Sequence, residues 1–279
     1  MYNKMACVQI TKLDFHYDLK RIFTDFSLSL EYGNCYVVSG LNGCGKSTLL
    51  KLISGKKLCP YGSVNVCGKD PFRDTSTSNE IAYLSNDWGT NTVAYSGYNI
   101  PIQSSIQVKD MMVELRKTYV DREHILRKVL GINLEWSLNS ISEGQRKRVQ
   151  LYLGLIKPFK ICLLDEITVN LDVLVKTRLM NFLKTESTEN KACVVYVTHI
   201  FDGLNEWCSK LIYLKKNNDI FMHAMESIPG RDIFTYLLQE FMSEYDECEM
   251  EIEEEENKQP INRKNAGGYT PGVLHNYVM

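Results

Sequence analysis

No stretch of the 279 residues approaches the roughly 18–20 consecutive apolar residues that a membrane-crossing helix needs, so the chain is not expected to cross a bilayer by itself. The start, Met1 to Val8, has no long apolar core behind its charges, which argues against a secretory leader. Paired cysteines are also missing. Nine are scattered singly with no C-x-x-C spacing, which disfavours a zinc site or a disulfide framework and fits a reduced, intracellular compartment. Neither sign of charge dominates: 32 Lys and Arg against 34 Asp and Glu leave a net −2, with no basic stripe, so direct nucleic-acid binding is not expected. There is no internal repeat. What remains is 44% apolar and 24% charged, enough to bury one large core or two modest ones.

The pattern along the chain changes period several times. Ala6 to Phe15 and Phe26 to Leu30 alternate as antiparallel strands with one wet face, and Cys35 to Val38 is a buried strand. Short strands around Val64 and Val66 and an apolar run Ile81 to Leu84 come next. Helical spacing sets in from Val108 to Leu130 and again after Ser142, where Val149, Leu151, Leu153 and Ile156 fall inward. Two continuous apolar strands, Ile161 to Leu164 and Cys193 to Val197, flank a helical Val173 to Leu183, and strands buried on both faces alternating with helices argue a parallel α/β sheet. Cys162 and Cys193 read as small core residues of those strands. Between Glu244 and Glu256 acidic residues dominate with no Lys or Arg, and Asn257 to Met279 is rich in Asn, Gly and Pro, so residues 241–279 are expected to form a disordered acidic tail behind a domain of residues 1–240. Tyr269 to Met279 is where a partner of that tail would dock.

Chemistry enters at Gly40-Leu41-Asn42-Gly43-Cys44-Gly45-Lys46-Ser47-Thr48, which matches G-x-x-x-x-G-K-[ST] between a strand and a helix. The glycines let successive N–H groups turn inward on phosphate oxygens, Lys46 can bridge β- and γ-phosphates, and Ser47 can hold Mg²⁺ at the positive end of the helix. Cys44 lies inside the loop, so its oxidation or alkylation would obstruct the nucleotide. The strand Ile161 to Leu164 ends in Asp165-Glu166. Asp165 would reach the metal beside Ser47, and Glu166 would polarise the attacking water as general base.

Ile141-Ser142-Glu143-Gly144-Gln145-Arg146 resembles the L-S-G-G-Q signature of ABC ATPases, and with it phosphate loop, signature, acidic strand, Leu171-Asp172 and His199 fall into chain order. From the residues alone, Ser142 is a helix N-cap. The resemblance implies more: an α/β P-loop ABC ATPase fold with an N-terminal antiparallel β subdomain, a helical insert over about 92–157, Mg-ATP as ligand, and a head-to-tail homodimer. In it Ser142, Glu143, Gly144 and Gln145 of one copy would close over the nucleotide of the other, with Ser142 and the Gly144 N–H reaching the γ-phosphate. It further implies Tyr17 as the aromatic on adenine, Asp172 in a D-loop touching the other copy, His199 as a γ-phosphate switch, and Asn86 where a metal-linking glutamine should stand. Asn86 is one methylene shorter, and Glu143 replaces a glycine with a carboxylate that would repel the triphosphate unless it turns away or meets a cation, so slow or regulated hydrolysis is expected.

Shorter matches at Tyr83 to Trp88, Ser142 to Gln150, Leu171 to Val173 and Thr198 to Leu204 are similar to the soluble ABC proteins that include the fungal factor associated with the Ccr–Not complex and plant non-intrinsic relatives. That group implies a cytoplasmic or nuclear ATPase acting on a soluble protein complex in transcription or mRNA regulation. Two other functions fit the same motifs. One is the nucleotide-binding subunit of a transporter with a separate membrane polypeptide, docked through Thr92 to Leu138; the other is an ATP sensor with little hydrolysis. ATP over GTP follows from the resemblance alone.

Overall fold

The computed structural model describes residues 6–18, 20–86, 106–217 and 219–258, with side chains described to 246. β1, Ala6–Tyr17, and β2, Lys20–Glu31, form a long antiparallel pair, and β4, Val64–Val66, adds to β1 to complete a three-stranded sheet. The alternation read from the sequence is visible as alternating burial: Val8, Ile10 and Leu13 turn inward while Gln9 and Lys12 stay wet.

The second sheet has six strands in the order β5-β6-β7-β3-β8-β9. Its members are β3, Cys35–Ser39; β5, Ile81–Ser85; β6, Ile161–Asp165; β7, Cys193–Val197; β8, Lys210–Leu214; and β9, Ile220–Ala224. All neighbours run parallel except β8 and β9, which are antiparallel. Residues of β3, β6 and β7 are buried throughout, and successive ones serve different cores. Tyr36, Val38, Leu163, Val195 and Val197 pack toward the β subdomain and α1, Lys46–Ile53, whereas Val37, Leu164, Val194 and Tyr196 pack toward the helices on the other side. That two-faced burial is why these strands read as unbroken apolar runs.

The helices on the far side are α2, Val113–Thr118; α3, Val120–Leu130; α4, Glu143–Leu155; and α5, Val173–Thr188. The helical segment expected over Val108 to Leu130 is divided: a 3-10 turn at Val108–Asp110 and a left-handed Met112 precede α2, and a non-helical Tyr119 separates α2 from α3. The remainder of the expected insert, from Thr92 up to 105, and Asp87 and Trp88, lie outside the described residues.

α6 runs Ile233–Lys258 and takes in Glu244 to Glu256, the acidic segment expected to be disordered. Glutamate is a strong helix former as well as a source of self-repulsion. The chain divides into two compact units, the first ending at Phe241 and the second starting at Met242. Tyr269 to Met279 lie outside the described residues.

One buried ion pair ties α3 to α5. Arg122 Nη1 donates to Glu186 Oε1 at 2.7 Å, its Nε donates to Leu155 O at 2.8 Å, and its guanidinium lies 5.2 Å from the ring centroids of both Phe159 and Phe182. The two side chains are 14% and 7% exposed. Glu186→Ala would strand the guanidinium without its counter-charge, at a cost of about 3 kcal/mol. Calorimetry should show the melting temperature falling by roughly 5–10 °C, while the fully apolar replacement of both partners falls by less.

Candidate functional site

The phosphate loop joins the C-terminal end of β3 to α1. Gly40 has φ 153, and a Cβ there would stand 2.2 Å from Leu214 O; Gly45 has φ 106 and presses within 2.9 Å of Ile22 and Phe23 by the same measure. Neither position has room for a side chain. α1 begins with no side-chain cap and no acidic residue in its first turn, so its leading N–H groups are left for an anion. Lys46, only 7% exposed, folds back so that Nζ donates to Gly40 O at 2.8 Å and Leu41 O at 3.0 Å. Cys44 is buried at 4% exposure, which restricts reagents from a thiol that the sequence places in the loop.

β6 delivers the acids to the same end of the sheet. Ser47 Oγ donates to Asp165 Oδ1 at 3.1 Å, putting a hydroxyl and a carboxylate oxygen side by side. Hard oxygen donors at a helix start suit Mg²⁺, which keeps several waters and needs few protein ligands. Asn86 stands in the turn just past Ser85, the register partner of Asp165, and is exposed. Glu166 adopts the left-handed region, φ 52, at a cost of about 1 kcal/mol for a residue with a side chain. Its N–H donates to Val197 O at 3.0 Å, which holds the turn, and its Oε1 lies 3.1 Å from His199 Nε2. Burial first, then the positive charge of Lys46, hold the His199 imidazole below its ordinary pKa, against the opposing pull of Glu166. A neutral ring facing a carboxylate carries its proton on Nε2. Lys46, Ser47, Asp165, Glu166 and His199, scattered over the sequence, are thus gathered by four elements.

The remaining expected residues lie in two further places. Tyr17 ends β1, half-buried, with its ring edge-on to Phe15 at 5.1 Å and Lys57 Nζ 5.0 Å from its centroid. Ser142 caps α4 in a reciprocal box: its Oγ accepts from Gln145 N at 3.2 Å and its N–H donates to Gln145 Oε1 at 2.9 Å. Asp172 caps α5 through Val175 N at 2.9 Å and pairs with Arg148 Nη2 at 2.7 Å. Glu143 turns to Asn170, whose Nδ2 donates to its Oε1 at 2.6 Å. Of the two ways out left open by the sequence, turning away or meeting a cation, the carboxylate turns to an amide of its own chain. Gly144 lies so close to the same residue that a Cβ would stand 2.9 Å from Asn170 O.

Three contacts at the site were not legible. Lys20 brings Nζ within 3.8 Å of a Cβ position on Gly43, through pairing of Lys20 with Tyr17 across a hairpin. Gln150, 5% exposed, donates Nε2 to Ser85 O at 2.7 Å, fastening α4 to the strand that leads to Asn86. The bond from Asn170 to Glu143 joins two motifs that lie far apart in the sequence. Only a glutamine inside the apolar face of α4 offered a signal.

The profile of the family described as ABC transporter matches residues 23–169, more than half of the chain and from phosphate loop to acidic strand. The chain belongs to the ABC transporter family. It is 41% identical over 211 residues to ABC transporter I family member 20 of Arabidopsis thaliana, covering 75% of this chain and 64% of that one. It is 40% identical over 198 residues to CCR4-associated factor 16 of Saccharomyces cerevisiae strain S288c, covering 68% of each. Among solved structures, an ATP-binding subunit of an ABC transporter aligns at TM-score 0.64 with 19% identity, over 79% of this chain and 90% of the other. A dimeric ATP-binding cassette in a post-hydrolysis state with ADP and Pi aligns at TM-score 0.62 with 20% identity, over 78% and 98%. The fold is that of an ABC ATPase domain, which binds nucleotide.

An NMR titration of the nucleotide-free cassette should place the His199 midpoint below the ordinary 6.5. Between that lowered value and 6.5 the unfolded chain binds more protons than the native one, so this group makes stability rise with pH across that window and contributes nothing above it. A midpoint above 6.5 would contradict the geometry around the ring.

Proposed function

We propose that this cassette binds and hydrolyses Mg-ATP in a head-to-tail pair and uses closing and opening of the pair to regulate a protein complex. The observation that carries it is the gathering of Lys46, Ser47, Asp165, Glu166 and His199 at one end of the parallel sheet. The amides of Gly40 to Thr48 and the Lys46 ammonium would hold the phosphates. Release of Lys46 from Gly40 O and Leu41 O would accompany their arrival. Ser47 and Asp165, with Asn86 beside them, would hold Mg²⁺, which supplies charge neutralisation at the β- and γ-oxygens. Glu166 would accept a proton from the attacking water while His199 holds its carboxylate and senses the γ-phosphate. Tyr17 would stack on the base.

Pairing is supported by the surface beside this end of the sheet. Val169, Val173, Leu174 and Ile200 are 55%, 82%, 57% and 36% exposed, an apolar set around the Asp172 and His199 turns that a second copy would cover. The Ser142 hydroxyl accepts one bond within its capping box and keeps its proton for a neighbour's phosphate. The chain's relatives point to the kind of complex: one is named for association with CCR4, which favours a soluble regulatory assembly.

A second reading has its own observation. Met112, just before α2, and Val120 and Ile125 on α3 are 48%, 60% and 50% exposed, as a docking surface for a separate membrane subunit would be. Proteins recovered with the endogenous chain separate the two: soluble regulatory factors support the first, a polytopic membrane protein the second.

Replacing Glu166 by Gln removes the base and leaves the binding groups. In excess Mg-ATP that variant should run as a stable dimer in gel filtration, with turnover lowered by roughly 10²–10⁴-fold. A variant that stays monomeric would overturn the paired mechanism.

A further inference from the structure

We propose that Glu143 is a positioning residue: its bond with Asn170 locks the signature turn to the turn before α5 within one chain. The two segments that a neighbouring copy would meet then move as a single body. This rests on the paired cassette proposed above.

Three contacts bridge the same two segments. Asn170 Nδ2 donates to Glu143 Oε1 at 2.6 Å, Arg148 Nη2 donates to Asp172 Oδ2 at 2.7 Å, and the Gly144 backbone lies against Asn170 O. A charged acceptor makes the first of these one of the stronger kinds of hydrogen bond. Ser142 and Gln145 bond each other, and the second Asp172 oxygen caps α5. Glu143 and Asn170 bond each other across the two turns.

The arrangement also accounts for a carboxylate where the family pattern has glycine. Glycine would leave the Asn170 amide to water and the two turns coupled by backbone contact and one ion pair. With Glu143 in place, two side-chain bonds, one at the first residue of α4 and one at its sixth, fix both translation and rotation of the helix start against the turn. The Glu143 charge is drawn toward the D-loop of its own chain, away from the neighbour's triphosphate.

A rival role for Glu143 is that of an acid in the first turn of α4, favoured by the helix dipole and needing no partner. Exchange of donor and acceptor separates the two. Asn170→Asp sets two carboxylates against each other, and the double variant Glu143→Gln with Asn170→Asp restores an amide-to-carboxylate bond in the reverse sense. In the full chain, Asn170→Asp should lower kcat by about tenfold, the loss of one charge-assisted bond. Its Kd for a fluorescent ATP analogue, set by the phosphate loop, should stay within about twofold, and amide exchange should quicken in both turns. The double variant should recover kcat and exchange protection, with melting curves confirming that each protein is folded. Loss without recovery in the double variant, or unchanged exchange in the signature turn of Asn170→Asp, would overturn the lock. If Glu166→Gln never pairs, the paired mechanism falls by itself, and the exchange data decide the lock.

Discussion

The register of three buried parallel strands is the constraint on which the site depends. β3, β6 and β7 are apolar on both faces, so none can slip by a residue without turning every side chain into the wrong core. Asp165 pairs with Val197 across β6 and β7, and Val38 pairs with Val197 across β3 and β7. Those pairings set how far the phosphate loop, the Asp165-Glu166 turn and the His199 turn stand from one another. The contacts between Ser47 and Asp165 and between Glu166 and His199 are consequences of packing some distance below them. Chemistry at the strand ends is held by apolar residues that never touch it.

Local strain is concentrated where that frame ends. Glu166 is held in a left-handed conformation by its N–H to Val197 O, and Gly40 and Gly45 take backbone angles closed to other residues. A turn that leaves Asp165 beside Ser47 and swings the next carboxylate toward His199 needs such an angle at the second acid. The sheet over-determines the position, so a small backbone penalty persists where two adjacent acids turn to different partners, Asp165 to Ser47 and Glu166 to His199.

Much of this was legible because it is written in period and punctuation. Buried parallel strands announce themselves as short apolar runs, the glycine spacing fixes the loop, and acids at a strand end can face only the phosphate side. What could not be read depends on contacts between distant residues. Nothing in the sequence pairs Glu143 with Asn170 or Arg148 with Asp172, since each bond requires knowing that α4 lies beside the turn before α5. β8 and β9 escaped for another reason: Leu211 to Leu214 is a short apolar run without a motif, and β9 is only partly buried. Charge counting alone is a poor guide to the acidic segment within α6, because glutamate is also a strong helix former.

Glu143 illustrates how a departure from a family pattern should be weighed. A carboxylate near a triphosphate is unfavourable if it is unpartnered and faces the ligand, and the penalty falls with each donor that takes up its charge. Here the charge meets the Asn170 amide and sits at the positive end of α4. The same bond fastens α4 to the turn before α5. Asn86 is different in kind: it is exposed in the turn past Ser85, whose carbonyl accepts from Gln150 Nε2 at 2.7 Å, and it is one methylene shorter than the glutamine of the family pattern. The expectation of slow hydrolysis therefore rests on the reach of Asn86 more than on the charge of Glu143.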